Sequence, residues 1–296
     1  MSDAFSNRHP LINFSYFVLV ILFSMFLMDP ACLVISLLCA FIYSLYLKGK
    51  KALKFFGLGM LPLLLVTALL NPLFNHAGVT ILFYLPGGNP VTMESIVYGL
   101  AAATMFVTVI IWFSCFNAVM TSDKFIYLFG KILPALSLIL AMVLRFVPRI
   151  KAQGRMIANA QKCVGRDAAS GNIDDRARAI VRMTSIMTTW ALESSIDTAD
   201  SMKARGYGLP GRTAFSIYCF NYRDGFILTI IFLLAGLVLT GLITGATAAD
   251  YFPALRIAAF TPLKLLFLTA YAGLGLLPVI INGWEDLRWK HIQSAV

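Results

Sequence analysis

Charged residues are scarce in this chain of 296 residues: they account for 13% of it, whereas 59% of the residues are hydrophobic. Soluble domains typically contain about 25% charged and about 45–50% apolar residues, so this composition excludes an ordinary soluble domain. Stretches of about twenty apolar residues, each able to cross a hydrocarbon core of ~30 Å, supply the excess. The mean hydropathy is +0.80. The sequence therefore predicts a polytopic membrane protein.

Cysteine and histidine are also few, and neither forms a pattern that indicates chemistry. The five cysteines and three histidines are scattered along the chain. They form no CxxC pair and no metal-ligand spacing, which argues against a disulfide framework or a zinc site. No cluster of His, Asp and Glu and no nucleophile–base pair can be assembled, so a membrane enzyme is disfavoured. We expect no catalytic residue, no cofactor and no bound metal.

Basic residues outnumber acidic residues by 24 to 14, but they are concentrated in a few segments. Residues 121–223 contain fifteen of the Lys and Arg residues, whereas residues 71–91 contain none. This asymmetry is typical of cytoplasmic segments of membrane proteins, and it does not indicate a nucleic-acid partner. The positive-inside rule places residues 121–223 and both termini in the cytoplasm, which requires an even number of crossings.

Six apolar stretches have the length expected of transmembrane helices: residues 11–28, 31–47, 54–71, 94–120, 225–244 and 262–282. They divide the chain into an N-terminal transmembrane module (1–120), a polar module (121–223), and a C-terminal hairpin with its tail (224–296). The apolar run 134–147 is shorter and contains Arg145. We interpret it as a helix on the cytoplasmic face, with a further crossing as the alternative.

The rest of the polar module is expected to form two amphipathic helices. The first should run from about Pro148 to Lys162. The second should begin after Asn172, because Asp174 and Asp175 suit the positive end of a helix dipole. Its apolar residues recur at three- and four-residue steps and form one stripe: Ile180, Met183, Met187, Trp190 and Ala191.

The second amphipathic helix should end at Ala204-Arg205-Gly206. A glycine just beyond a helix end commonly adopts a left-handed cap, and a cation in the last turn suits the negative end of the dipole. Taken alone, this tripeptide requires nothing more than an ordinary helix-end charge.

Several stretches, in the same order along the chain, are similar to motifs of the transmembrane T component of energy-coupling factor (ECF) transporters. This family includes the cobalt and nickel uptake component. The resemblance covers most of the chain and is strongest from 134 to 207. The matching stretches are Asn71–Phe74 followed by Gly78, Leu144–Pro148, Ala160–Lys162, Leu192–Ser194 and Ser201–Tyr207. In or beside them lie the residues that the resemblance places in the structure of the coupling module: Arg145, Pro148, Gln161, Glu193 and Asp200.

The resemblance implies an all-α polytopic membrane protein of about six transmembrane helices, with cytoplasmic coupling helices inserted before the last two. In this family the T component is a non-catalytic scaffold in the plasma membrane of a prokaryote. It holds a membrane-embedded S component, which binds the substrate, and it docks two ATP-binding-cassette ATPases from the cytoplasm. Because selectivity belongs to the S component, a vitamin or a metal ion remains an open choice of substrate.

Each coupling helix of the family ends in an Ala-Arg-Gly-like motif that sits in a groove on one ATPase. Ala204-Arg205-Gly206 matches the second motif, and a guanidinium can hold a carboxylate through two parallel hydrogen bonds. The first motif departs from the pattern, because the chain has Cys163-Val164-Gly165 with Arg166 one place later. Either Arg166 reaches the groove from a shifted position, which we favour, or this end docks with weaker polar contact.

Other functions fit the sequence less well. Residues 206–213 imitate a phosphate-binding loop, but Arg212 stands where the essential lysine would be, and a helix precedes the loop. The main alternative function is a self-sufficient secondary transporter, which should carry acidic residues inside its spans. The charges of the predicted spans, Lys54, Glu94 and Lys264, all lie near span ends. An ABC permease with a single coupling helix is disfavoured because the coupling motifs are paired.

Overall fold

The computed structural model of the chain describes residues 3–84, 90–130, 133–165, 172–210 and 218–294. These residues form two compact units, divided after Lys124 and before Tyr218. We call the unit made of both terminal parts of the chain the bundle, and we call Phe125–Ile217 the insert.

The bundle is almost entirely helical. Its helices are α1 (Pro10–Phe26), α2 (Pro30–Lys48), α3 (Lys50–Phe55), α4 (Leu61–Phe74), α5 (Met93–Val119), α9 (Tyr222–Ile243) and α10 (Pro262–Ser294). A π-helical segment, Phe56–Met60, joins α3 to α4. Two short antiparallel strand pairs lie in the connections: β1 (Ile81–Tyr84) with β2 (Pro90–Thr92), and β3 (Ala249–Asp250) with β4 (Arg256–Ile257).

Each of the six predicted spans is helical in the structure. Among the residues that the structure describes, five helical segments are long and apolar enough to cross a membrane: Pro30–Lys48, Lys50–Phe74, Met93–Val119, Tyr222–Ile243 and Pro262–Trp289. The sixth, α1, is apolar but shorter, with 17 residues. The all-α polytopic membrane fold predicted from the sequence is therefore confirmed.

The helix ends follow from local sequence. Asp29 precedes Pro30, and its carboxylate accepts a hydrogen bond from the Ala31 N–H at 3.0 Å, which caps α2. Thr92 caps α5 in the same way, because its hydroxyl accepts from the Ser95 N–H at 3.3 Å. Such caps satisfy N–H groups that have no partner inside the helix.

The centre of the bundle combines close packing with a small polar network. The hydroxyls of Ser24 and Ser36 lie 2.8 Å apart, Tyr271 contacts Ser24 at 3.3 Å, and the Trp112 indole N–H donates to Ser36 at 3.3 Å. These buried side chains join α1, α2, α5 and α10. Polar groups inside a membrane protein need such partners because lipid offers none.

Two glycines allow α10 to pack closely against its neighbours. A Cβ added at Gly241 of α9 would lie 2.7 Å from Cγ of Phe267, and one added at Gly275 would lie 2.9 Å from Cβ of Cys39 in α2. Small residues at helix interfaces let backbones approach, as is common between membrane helices.

One contact that the sequence did not predict joins α10 to the turn between α1 and α2. The Lys264 ammonium forms an ion pair with the Asp29 carboxylate, and it also donates to the Ala258 carbonyl at 3.0 Å. Both side chains are almost completely buried. Nearby, the Tyr251 hydroxyl donates to the Met28 carbonyl at 2.6 Å. Charge at the ends of these helices is thus paired within the protein.

The insert contains the last part of α6 (Ser122–Gly130), then α7 (Pro134–Cys163) and α8 (Ile173–Ala204). The predicted start and end of the second amphipathic helix are confirmed, with Asp174 and Asp175 in its first turn. The predicted division near Pro148 is wrong, because the run 134–147 and the first amphipathic helix form one continuous helix. A proline inside a helix removes one backbone hydrogen bond but need not end the helix, since neighbouring turns remain bonded.

Candidate functional site

The two long helices of the insert are fixed to each other at a crossing. The rings of Phe146 and Trp190 are stacked, with centroids 5.9 Å apart and an interplanar angle of 6°. The Arg149 guanidinium carbon lies 5.4 Å from the centroid of the Trp190 ring. Further along, Gly154 is close to Met187, since an added Cβ would lie 3.4 Å from the Met187 sulfur. Aromatic stacking and a cation over an indole ring both stabilise such a crossing.

The end of α8 has the geometry of a Schellman motif. Gly206 is in the left-handed region, with φ of +79°. Its N–H donates to the Lys203 carbonyl at 3.0 Å, and the Tyr207 N–H donates to the Met202 carbonyl at 3.0 Å. These two bonds are the pair expected of this cap. The cap ends the helix at a defined residue and leaves Arg205 exposed.

The end of α7 shares the left-handed glycine and the first of these two bonds. Gly165 is also left-handed, with φ of +73°, and its N–H donates to the Lys162 carbonyl at 3.0 Å. If the two glycine caps are superposed, Cys163 corresponds to Ala204 and Val164 corresponds to Arg205. Val164 is 68% exposed. Arg166 lies outside the described residues.

The electrostatic character of the two helices differs. α7 carries five basic residues and no acidic residue between Pro134 and Cys163. α8 carries acidic residues along its length, and Lys203 is the basic residue of its last turn. A cation near a helix C-terminus interacts favourably with the helix dipole. Each helix therefore has a basic residue in its last turn, Lys162 in α7 and Lys203 in α8, close to the carbonyl groups that have no partner inside the helix.

The structure places the other predicted site residues along the same two helices. Arg145 and Pro148 are exposed on α7, and Gln161 is half-buried in its last turn. Glu193 and Asp200 are exposed on α8. These five side chains are therefore spread along the helices and do not converge on a pocket. Within the described part of the chain, no group of three His, Cys, Asp or Glu side chains is placed to hold a metal ion.

Sequence reasoning missed two features of the insert. The stack of Phe146 on Trp190 was not expected, although Trp190 was recognised as part of the apolar stripe. Ser194, beside Glu193, is only 6% exposed, and its hydroxyl has no hydrogen-bond partner among the described residues. The sequence alone gives no signal of this burial, because Ser194 is a small hydroxyl residue between exposed neighbours.

An open apolar groove of about 330 Å³ lies between α6 and the first half of α7. Its walls are aromatic and aliphatic. Groove residues include Phe125, Phe129, Leu133, Leu136, Leu140 and Val143. Several of these side chains are exposed, among them Leu136 at 57%. An exposed apolar surface of this kind is typical of contact with another protein or with lipid.

The chain is a multi-pass helical membrane protein with a pair of crossed, glycine-capped helices in its insert, and comparisons with known proteins identify its family. The family model for CbiQ, described as cobalt transport protein, matches residues 5–217. The chain therefore belongs to the CbiQ cobalt transport protein family and is the transmembrane component of an energy-coupling factor transporter. The matched range includes the whole insert and ends before α9 and α10.

Several similar proteins carry the name energy-coupling factor transporter transmembrane protein EcfT. The protein from Lacticaseibacillus paracasei is 30% identical over 220 residues, which cover 69% of this chain and 80% of that protein. The protein from Bacillus selenitireducens is 23% identical over 243 residues, covering 78% of this chain and 90% of that protein. The match to the Lactobacillus helveticus protein is shorter, with 34% identity over 105 residues that span 38% of that protein.

Proposed function

We propose that this chain couples ATP hydrolysis by two cytoplasmic ATP-binding-cassette subunits to uptake through a separate membrane-embedded S component. The chain itself is non-catalytic in this proposal. The observation that carries it is the repeated helix end: α7 and α8 each stop at a left-handed glycine that leaves the preceding residues exposed. Two equivalent ends on crossed helices suit two docked subunits.

The direction of the two helices supports two separate docking sites. From Phe146 to Gly154, α7 advances toward its C-terminus, whereas the contacted residues of α8 step back from Trp190 to Met187. The C-terminal ends therefore point away from each other. At a rise of 1.5 Å per residue, each end lies roughly 20–25 Å beyond the crossing. A subunit docked at one end would leave the other end free.

The two ends differ in chemistry. The planar guanidinium of Arg205 can hold a carboxylate on a partner through two parallel hydrogen bonds. At the other end the corresponding residue is Val164, which offers apolar contact only. On this geometry we now favour the second sequence-based alternative, in which the first end docks with weaker polar contact.

A pair of variants separates the two interpretations of the first helix end. Val164→Arg is expected to raise ATPase affinity about tenfold or more, because a hydrogen bond to a charged group contributes about 1.5–3 kcal/mol. Arg166→Ala should leave the affinity unchanged. Binding of the purified ATPase subunits can be measured on the immobilised chain. A large loss with Arg166→Ala would show that Arg166 is the docking residue and that the cap register does not identify it.

The S component is proposed to contact the apolar groove of α6 and α7. The groove is exposed, and its lining carries no charge. A membrane-embedded partner presents apolar side chains that could cover such a surface and remove it from water. The transported substrate, a vitamin or a metal ion, would then be selected by that partner.

The proposed location is the plasma membrane of a prokaryote, with both termini and the insert in the cytoplasm. This topology rests on the concentration of Lys and Arg in residues 121–223. The native cysteines offer a test, because Cys163 and Cys219 are exposed, whereas Cys32, Cys39 and Cys115 are buried.

A membrane-impermeant thiol reagent is expected to leave the native chain unlabelled in intact cells and to label it in inside-out vesicles. The vesicle label should disappear in the Cys163→Ser/Cys219→Ser variant. In that variant, Val79→Cys should restore labelling from outside, because Val79 is 69% exposed and lies within residues 71–91, which carry no Lys or Arg and which the proposed topology places outside the cell. Labelling of Cys163 in intact cells would overturn the topology.

A further inference from the structure

The first residues of the described chain are inserted into the bundle. Phe5 has no exposed surface. Its ring makes edge contacts with Tyr16 at 5.2 Å, and with Phe17 and Tyr43 at 6.4 Å each. Its backbone N–H donates to the Asn282 side-chain carbonyl at 2.9 Å. A fully buried phenylalanine of this kind holds its segment in place through both apolar and polar contacts.

Asp3 adds a polar anchor to the same place. The Asn282 amide donates to one Asp3 carboxylate oxygen at 2.6 Å, and the Tyr43 hydroxyl donates to the other at 3.2 Å. The segment Asp3–His9 is therefore bound to α2 through Tyr43 and to α10 through Asn282. We call this segment the N-terminal clamp.

The clamp also holds the incoming connection to the insert. Lys124 is the last bundle residue before the insert, and it is 6% exposed. Its ammonium donates to the Ser6 carbonyl, to the Ser6 hydroxyl at 3.3 Å and to the Val119 carbonyl at 2.9 Å. Burial lowers the pKa of Lys124. The lysine thus joins the end of α5 to the clamp at the point where the chain leaves the bundle.

The outgoing connection meets the other end of the clamp. The His9 and Phe220 rings lie 5.2 Å apart in an edge arrangement. The Arg8 guanidinium lies 4.0 Å from the Asp224 carboxylate, at the start of α9, and 3.1 Å from the Glu285 carboxylate of α10.

We infer that the N-terminal clamp is the positioning element that transmits movement of the insert to the membrane bundle. This inference rests on the proposed function, since the movement would be produced by the docked ATPases. The incoming connection is short, because α6 begins at Ser122 in the bundle and continues to Gly130 in the insert. Because one buried segment contacts Lys124 on the incoming side and Phe220 and Asp224 on the outgoing side, as well as α2 and α10, a displacement carried along α6 would be passed to the bundle helices.

The test uses the complex of the full chain with its ATPase subunits in lipid nanodiscs. Backbone hydrogen exchange is compared before and after addition of ATP with vanadate. In the native chain we expect the nucleotide to change the rate of backbone hydrogen exchange severalfold in α7 and α8, and also around Tyr43 and Asn282. With Phe5→Ala, the changes in α7 and α8 should persist, whereas those around Tyr43 and Asn282 should be lost.

Two further variants keep the test decisive. Arg8→Gln removes the ion pairs with Asp224 and Glu285 without creating a cavity in the core. It should therefore reduce the exchange changes around Tyr43 and Asn282 even if Phe5→Ala folds poorly. Phe26→Ala truncates the same side chain at a position that is 64% exposed, and it should behave like the native chain. If folded Arg8→Gln and Phe5→Ala complexes still showed the nucleotide-dependent exchange around Tyr43 and Asn282, the inference about the clamp would be overturned and the proposed function would stand. A native chain that retains no ATPase subunits would overturn the proposed function and this inference with it.

Discussion

Arg205→Glu is expected to release the ATPase from the α8 end and to block uptake, while the protein still inserts and still holds its S component. Removing one hydrogen-bonded charge from a desolvated interface costs about 2–5 kcal/mol, and the reversed charge adds repulsion. Such a loss weakens association by roughly a hundredfold or more. Co-purification of the ATPase subunits with the tagged chain measures this effect.

Two companion variants identify the cause of the defect. Arg205→Lys keeps the charge but loses the planar fork, so an intermediate loss is expected. Arg182→Glu makes the same charge change at an exposed position in the middle of α8 and should leave ATPase recovery unchanged. If Arg205 served only the helix dipole, its removal would cost about 0.3–1 kcal/mol of helix stability. Normal ATPase recovery with Arg205→Glu would favour that simpler role.

Lys264→Met is expected to destabilise the bundle strongly. The substitution leaves the Asp29 carboxylate buried without its cation, which costs about 3–5 kcal/mol when one member of a buried pair is removed. It also removes the hydrogen bond to the Ala258 carbonyl. The free energy of unfolding in mixed micelles measures the effect.

The double variant Asp29→Asn/Lys264→Met should recover much of this loss, because it removes the buried charge along with its partner. An asparagine can still cap α2, so the helix start is preserved. Lys51→Met, at an exposed position, should have little effect and serves as the matched control. Equal stability of Lys264→Met and the native chain would show that the pair contributes nothing to the fold.

The features that could be predicted from the sequence are those that depend on local pattern. The span bounds follow from apolar runs of membrane length, so the prediction of 94–120 differs by one residue at each end from the observed Met93–Val119. The bounds of α8 follow from Asp174 and Asp175 at one end and Gly206 at the other. Each of these signals lies within a few residues of the feature it specifies.

The features that could not be predicted depend on distant partners. Asp29 and Lys264 are separated by more than two hundred residues, so a sequence shows only two charges near span ends. Phe5 gives no sign of its burial, because its pocket is built from three other helices. The continuity of α7 through Pro148 was missed because proline is a strong local signal for a helix boundary, and tertiary contacts on both sides of it override that signal.

The candidate site was predictable in part. The Ala204-Arg205-Gly206 end could be located because glycine capping is a local property of the chain. The shared glycine already aligns Val164 with Arg205 in the sequence, although the sequence analysis favoured Arg166 as the docking residue; the left-handed conformation of both glycines supports the alignment. The opposite directions of the two helix ends required the contacts of Trp190 and Met187 across the crossing.

The number of ATPase subunits carried by one copy of this 32.6 kDa chain tests the central claim most directly. Native mass spectrometry of the complex, purified from its own membranes through a tag on this chain, measures that number. We predict one chain with two ATPase subunits and one S component, and the loss of an ATPase subunit in Arg205→Glu. A transport-active chain that carries no ATPase subunit would contradict the account.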